Sequence, residues 1–128
     1  MPKKSTILLT GATGFLGSHL LENLISEKYK VIILKRKLSN IKKIFHLDGK
    51  YESVNIDEKN VEQVFIENNI EIVIHTACSY VRNSKSTLEL VHSNLIFGLE
   101  IFNYASKHKV KLFINTDTFY NHIKSIPA

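Results

Sequence analysis

Thr10-Gly11-Ala12-Thr13-Gly14-Phe15-Leu16-Gly17 places three glycines at intervals of three. Ahead of it, residues 5–10 (STILLT) form a short apolar run of the kind buried on both faces of a parallel sheet. Behind it, residues 15–26 repeat Leu16, Leu20, Leu21, Leu24 and Ile25 at helical spacing. The stretch therefore reads as a strand, a glycine turn and a helix. The first glycine suits a tight turn, the second leaves the backbone open to a phosphate, and the third lets helix and strand pack closely. A helix opening there presents free N–H groups and the positive end of its dipole to the same point.

Outward from that turn, strands and helices alternate. Residues 30–34 (KVIIL), 51–55, 70–75 (IEIVIH) and 110–115 (VKLFIN) give a second to fifth strand, the third being weaker. Ser39 is placed to cap a short helix holding Ile41, Ile44 and Phe45, closed by Gly49. Asp57 is placed to cap a helix running to about residue 69, with Val61, Val64, Phe65 and Ile66 on its apolar side. Residues 84–107 carry Leu88, Val91, Leu95, Leu99 and Phe102 at steps of three and four, a long amphipathic helix. Phe65, Phe102 and Phe113 read as core. Strands joined by helical crossovers make an α/β fold, a doubly wound parallel sheet of the Rossmann type with five strands present. The fifth run is apolar and little chain follows to cover it. Residues 1–128 are thus expected to be an incomplete Rossmann domain, with the C-terminal part of the fold missing.

A length of 128 residues suits one domain, and 44% hydrophobic with 23% charged residues describes a globular core, not a disordered chain. The net charge of +5 comes from basic residues spread along the chain without a nucleic-acid motif, so no nucleic-acid partner is expected. No apolar run approaches the ~18 residues of a membrane span, and the apolar stretch near the start is too short for a signal peptide. No membrane partner and a cytoplasmic location are expected. The single cysteine, Cys78, fits a reducing compartment and reads as a small packing residue. The six histidines show no metal-ligand spacing, so no metal is expected. His75, ending the fourth strand, reads as a hydrogen-bonded structural histidine.

TGATGFLG resembles the fingerprint of the extended short-chain dehydrogenase/reductase superfamily, the NAD(P)-dependent nucleotide-sugar epimerases, dehydratases and reductases. Three further segments resemble that family in order. Ile74-His75-Thr76-Ala77-Cys78 is similar to the segment bordering the cofactor after the fourth strand, and Asn94 with Gly98 to the Asn-x-x-x-Gly of the following long helix. Phe113-Ile114-Asn115-Thr116-Asp117-Thr118 resembles the end of the fifth strand, where a hydroxyl assists catalysis. The resemblance implies cofactor contacts at Gly11, Thr13, Gly14, Phe15, Leu16, Gly17, Asn55, Ile56, Thr76, Ala77 and Asn94. It implies a catalytic hydroxyl at Thr118, with Thr116 as the alternative.

An acid at the end of the second strand would bind the adenine ribose and favour NAD. Lys35-Arg36-Lys37 stands there instead. A guanidinium forks onto a 2′-phosphate with charge-assisted bonds, so NADP(H) is expected over NAD(H), held by Arg36 or Lys35. The plainer reading is a solvated basic strand end.

The family chemistry is hydride transfer at a sugar carbon, with a tyrosine acid or base and a lysine four residues later. An ordinary tyrosine, with pKa near ~10, is a poor base at neutral pH without a nearby cation. Tyr120 and Lys124 have the spacing, but Tyr120 follows Thr118 closely and Pro127 opposes a long helix, so the working pair is expected beyond Ala128. A net reductase must exchange spent cofactor, commonly NADPH. The basic cluster therefore leans the reading to an NADPH-dependent 4-keto-sugar reductase with a nucleotide-sugar substrate. A homodimer through the long helix is a further implication. The alternatives are a non-catalytic dinucleotide-binding module and an inactive truncated product.

Overall fold

The apolar runs pair side by side. The computed structural model describes residues 4–77 and 86–116. Strands β1 (Thr6–Thr10), β2 (Lys30–Lys35), β3 (Glu52–Asn55), β4 (Ile72–His75) and β5 (Leu112–Asn115) form one sheet in which every pairing is parallel. Their order is β3-β2-β1-β4-β5. The chain steps outward from β1 to β3, then returns to the other side of β1 for β4. That reversal opens a crevice beyond the C-terminal ends of β1 and β4, where open α/β sheets take their ligands.

Alternate residues of the strands feed two cores. On one face, α1 (Phe15–Ser26) lays Leu21 against Ile7, Leu9, Val31, Ile33 and Ile74, with Ile44 and Leu47 beside it. On the other, α2 (Val61–Glu67) and a helix over 87–107 cover Leu8, Ile32, Leu34 and Val73. That long helix comprises α3 (Thr87–Val91), a π segment (His92–Ile96) and α4 (Phe97–Lys107). Ser86 caps it, its hydroxyl accepting from Glu89 N–H at 3.2 Å. Both α1 and α4 stop without glycine. Lys28 (φ 69°) and Lys109 (φ 57°) take the left-handed position that closes each last turn.

Several expectations give way to competing hydrogen bonds or packing. Ser39 does not cap a helix: its N–H donates to Arg36 O and its Oγ accepts from Arg36 N–H, closing a turn. The helix expected behind it shrinks to one 3₁₀ turn, Phe45–Leu47. Asp57 is drawn away from its expected cap, accepting instead from Lys37 N–H at 2.8 Å. Asn60 caps α2, accepting from Glu62 N–H at 2.8 Å, and the helix ends at Glu67. The stripe Leu88, Val91, Leu95, Leu99 and Phe102 faces outward, with exposures between 44% and 79%. The sheet takes the neighbouring flank, Phe97, Ile101, Tyr104 and Ala105, where small Ala105 and Gly98 let the helix axis come close. Phe102 is therefore not core: it is exposed and meets the half-buried Phe113 edge-on, ring centroids 5.2 Å apart. Phe65 is buried as expected. Leu112 and Ile114, paired with Ile72 and Ile74 on the α1 face, are exposed.

Ile101→Ala is expected to cost about 2–5 kcal/mol, the range for a truncated core aliphatic residue. Phe102→Ala is expected to cost about 1 kcal/mol, the order of one edge-to-face ring contact. Urea denaturation of both variants checks the ranking; equal losses would return Phe102 to the core.

Candidate functional site

β1 delivers the chain to Gly11 at φ +72°, a conformation that side-chain-bearing residues rarely adopt. A Cβ at Gly11 would lie 2.4 Å from Thr76 Oγ1 and 2.8 Å from Ala77 N. At Gly17 a Cβ would lie 1.9 Å from Gly11 O, so only glycine lets α1 seat its first turn on the loop. Gly14 is different: a Cβ there would meet only Gly11 O, at 3.4 Å. No side chain caps α1 and its first turn holds no acid. Ser18 turns inward, donating to Phe15 O at 2.9 Å. The first-turn amides thus lack helical partners and sit at the positive end of the dipole. Gly14, Phe15 and Leu16 are exposed and Thr13 is half-buried. The loop is a cradle closed behind by Thr76 and Ala77 and open in front, a shape and polarity suited to a phosphate.

The back of the cradle is a hydrogen-bonded seam between β1 and β4. Thr10 and His75 are both buried, with Thr10 Oγ1 2.7 Å from His75 Nδ1. The same oxygen accepts from Thr76 N–H at 3.1 Å and Ala77 N–H at 3.2 Å, while Thr76 Oγ1 donates to Thr10 O at 2.7 Å. Thr76 and Ala77 therefore line the crevice as a wall, their amides already engaged. Thr116 donates to His75 O through its N–H (3.1 Å) and its hydroxyl (3.3 Å). Burial holds the His75 imidazole below its ordinary pKa of 6.5. Asn94 lies within the π segment of the long helix.

At the end of β2, Lys35 is half-buried while Arg36 and Lys37 are exposed. Ile56 N–H donates to Lys35 O at 2.9 Å, which sets the β3 end beside the basic cluster. Asn55 Oδ1 accepts from Asp57 N–H at 2.9 Å, so part of its acceptor capacity is taken by the turn. Arg36, Glu89, His92 and Ser93 line a cavity of about 230 Å³ between the β2 end and the long helix. A second cavity, of about 300 Å³, involves Phe65, Glu67, Ile70 and His108 at the opposite, N-terminal end of the strands. Among the described residues, no three His, Cys, Asp or Glu side chains gather as a metal site, and no helix is long and apolar enough to cross a membrane.

The fold thus brings Gly11, Thr13, Gly14, Phe15, Leu16, Gly17, Thr76 and Ala77 to one crevice, with Lys35, Arg36, Asn55 and Ile56 along its β2–β3 side. Cys78, Thr118, Tyr120 and Lys124 lie outside the described residues. The hub role of Thr10 and the cavity residues Glu89 and His92 carry no sequence motif. Only the finished strand order brings them into place.

The buried imidazole sets a pH dependence. A folded pKa below the unfolded one makes the stabilisation complete above about pH 6.5 and lost as pH falls through the folded value. Glu62, Glu67 and Glu71 are held below their usual 4.5, chiefly by hydrogen bonds from Lys107, Lys59 and Lys111, and so act only in stronger acid. The melting temperature is expected to fall as pH drops below 6.5, before those carboxylates titrate. His75→Asn should flatten that slope; an unchanged slope in the variant would assign it elsewhere.

Comparison with known proteins agrees with this geometry. The family model described as NAD dependent epimerase/dehydratase family matches residues 7–127. The chain is 36% identical over 115 residues to CDP-abequose synthase of Salmonella muenchen, covering 89% of the chain and 38% of that relative. It superposes on the UDP-glucose 4-epimerase of Thermotoga maritima, solved with UDP-glucose, at a TM-score of 0.77 and 25% identity, covering 96% of the chain and 42% of the other. Two structures at 22% identity share the fold. One is Bordetella bronchiseptica WbmG with NAD and UDP (TM-score 0.73, 85% and 36% covered); the other is yeast methylglyoxal/isovaleraldehyde reductase Gre2 with NADPH (TM-score 0.71, 89% and 37% covered). The chain therefore spans about two fifths of the length of its relatives. With residues 7–127 matched and the glycine cradle in place, the chain belongs to the NAD dependent epimerase/dehydratase family.

Proposed function

We propose that this chain is the N-terminal, dinucleotide-binding portion of an enzyme that modifies nucleotide sugars. Within that class the reading leans to NADPH-dependent reduction of a 4-keto sugar. The carrying observation is the cradle at Gly11–Gly17: it is open in front of Gly14, has an uncapped helix N-terminus, and is backed by a wall that any Cβ at Gly11 would strike. Those features fit the bridging phosphates of a nicotinamide dinucleotide. In this reading Gly14, Phe15 and Leu16 hold the pyrophosphate from the backbone, and Thr13 flanks it. Asn55 and Ile56 border the adenine, Thr76 and Ala77 form the wall, and Asn94 approaches from the long helix. When bound, the dinucleotide supplies the hydride, and Thr118 hydrogen-bonds the reacting oxygen.

Arg36, beside Lys35, carries the cofactor preference. Its guanidinium is exposed at the β2 end and opens on a cavity, where a 2′-phosphate can be met by a forked pair of bonds. The likeness to CDP-abequose synthase and UDP-glucose 4-epimerase supports a nucleotide-sugar substrate. A homodimer through the exposed stripe Leu88–Val91–Leu95–Leu99–Phe102 belongs to the same reading, as does a cytoplasmic location.

Calorimetric titration of the chain with NADPH and NADH tests these points. NADPH is expected to bind about 10–100-fold more tightly, the worth of charged hydrogen bonds to the 2′-phosphate, and Arg36→Ala should remove most of that difference. Equal or tighter NADH binding would remove the NADP(H) preference; no binding of either would remove the cradle assignment. Gly14→Ala, whose Cβ would meet only Gly11 O at 3.4 Å, is expected to weaken both cofactors by about tenfold or more while leaving the ligand-free melting temperature unchanged.

A further inference from the structure

We infer that His75 is a positioning residue for the crevice wall: as a neutral ring carrying its proton on Nε2, it accepts the Thr10 hydroxyl at Nδ1 and so fixes Thr76 and Ala77 opposite Gly11. The inference rests on the dinucleotide reading above and assigns that site a residue with no direct contact to the ligand.

The tautomer follows from counting hydrogens. A threonine hydroxyl has one hydrogen and two acceptor lone pairs. Thr76 N–H and Ala77 N–H both point at Thr10 Oγ1, at 3.1 and 3.2 Å, and an amide can only donate. They occupy both acceptor positions. The remaining contact, 2.7 Å to His75 Nδ1, must then carry the hydroxyl hydrogen. Nδ1 is the acceptor, and the neutral ring keeps its hydrogen on Nε2. An N–H at Nδ1 would set two hydrogens against each other inside a buried seam. The far side of the ring is packed as well: Phe97 lies 5.7 Å away between ring centroids, and a Cβ on Gly98 would come within 3.0 Å of Nε2. His75 is thus gripped by β1, by the long helix and, through its carbonyl, by Thr116.

The consequence reaches the cradle. Thr76 Oγ1 and Ala77 N lie 2.4 and 2.8 Å from where a Cβ on Gly11 would stand, an approach that only glycine permits. Their placement depends on Thr10 keeping both lone pairs toward them. Without an acceptor at His75, the hydroxyl either buries an unpaired hydrogen, which is costly, or rotates to find an acceptor and releases an amide, which frees the wall to move.

A long-range ¹H–¹⁵N spectrum of the histidine-labelled chain near pH 7.5 reads the tautomer directly, with His75 assigned by the signal lost in His75→Asn. The expected state is a protonated Nε2 and a bare Nδ1. A protonated Nδ1 overturns the inference. NADPH titrations give the functional arm. His75→Asn, whose Oδ1 can accept the same hydroxyl, should bind within about threefold of the wild type, and His75→Leu about tenfold or more weakly. Ile101→Ala, a core change away from the crevice, should melt early yet keep its affinity, separating position from general stability. Equal binding by His75→Asn and His75→Leu overturns the inference; if His75→Leu does not fold, the tautomer measurement stands as the deciding arm. A wild-type chain with the Nε2 tautomer that binds no NADPH overturns the dinucleotide reading and the positioning role with it. A protonated Nδ1 alongside normal NADPH binding overturns this inference alone.

Discussion

α1 rests on the carbonyl of Gly11. A single added carbon at Gly17 would sit 1.9 Å from that oxygen, so the helix has its place only because the carbon is missing. From this contact the rest of the site follows. It fixes the helix N-terminus, and with it the direction of the dipole and of the first-turn amides. It turns Ser18 inward and drives Leu21 into the core between Ile7 and Val31. Because β1 pairs with both β2 and β4, the loop at its end has a strand end on each side. The crevice is the space those neighbours leave.

Polar groups around the crevice are largely engaged with one another. The Thr76 and Ala77 amides are held by Thr10, the Asp57 carboxylate by Lys37 N–H, and the Asn55 side chain by Asp57 N–H. Such closed pairs rigidify a wall, since each broken bond would leave a desolvated partner. They also decide where an anion can be met. Among the described residues, the α1 N-terminus and the Arg36 guanidinium at the β2 end stand without a local side-chain partner of this kind. Attraction for a phosphate is concentrated at those two places.

Much of this was legible from residue order. Five strands, their parallel pairing and the glycine turn follow from apolar runs broken by glycines, because each signal is local and strong. Two of the failures share a cause: short polar side chains with two competing uses. Ser39 and Asp57 each had the pattern of a helix cap, yet Ser39 found an exposed backbone N–H across a turn and Asp57 one just past the neighbouring strand β2, and no spacing rule ranks those options. The long helix misled differently. Its bulky stripe is the obvious apolar face, but packing on a sheet selects closeness as well as hydrophobicity, and Gly98 with Ala105 lies on the other flank. The ends at Lys28 and Lys109 were silent because lysine gives no stop signal. The Thr10–His75 bond joins residues 65 apart in sequence, a distance only the strand order can close.

The arrangement separates binding from whatever chemistry the longer relatives perform. Both cores lie beneath β1, β2 and β4, and the crevice is built on the ends of those strands with α1. β5 is an edge strand: it pairs with β4 and meets α4 through Phe113 and Phe102, while its Leu112 and Ile114 stand exposed. Losing support at β5 would first disturb Thr116 and its bonds to the His75 carbonyl, and only through them the wall at Thr76. The cradle at Gly11 is one step further removed, anchored among the described residues by contacts with β1, α1 and the first residues after β4. In the proposed reading, cofactor capture therefore rests on the ends of β1, β2 and β4 with α1 and not on β5.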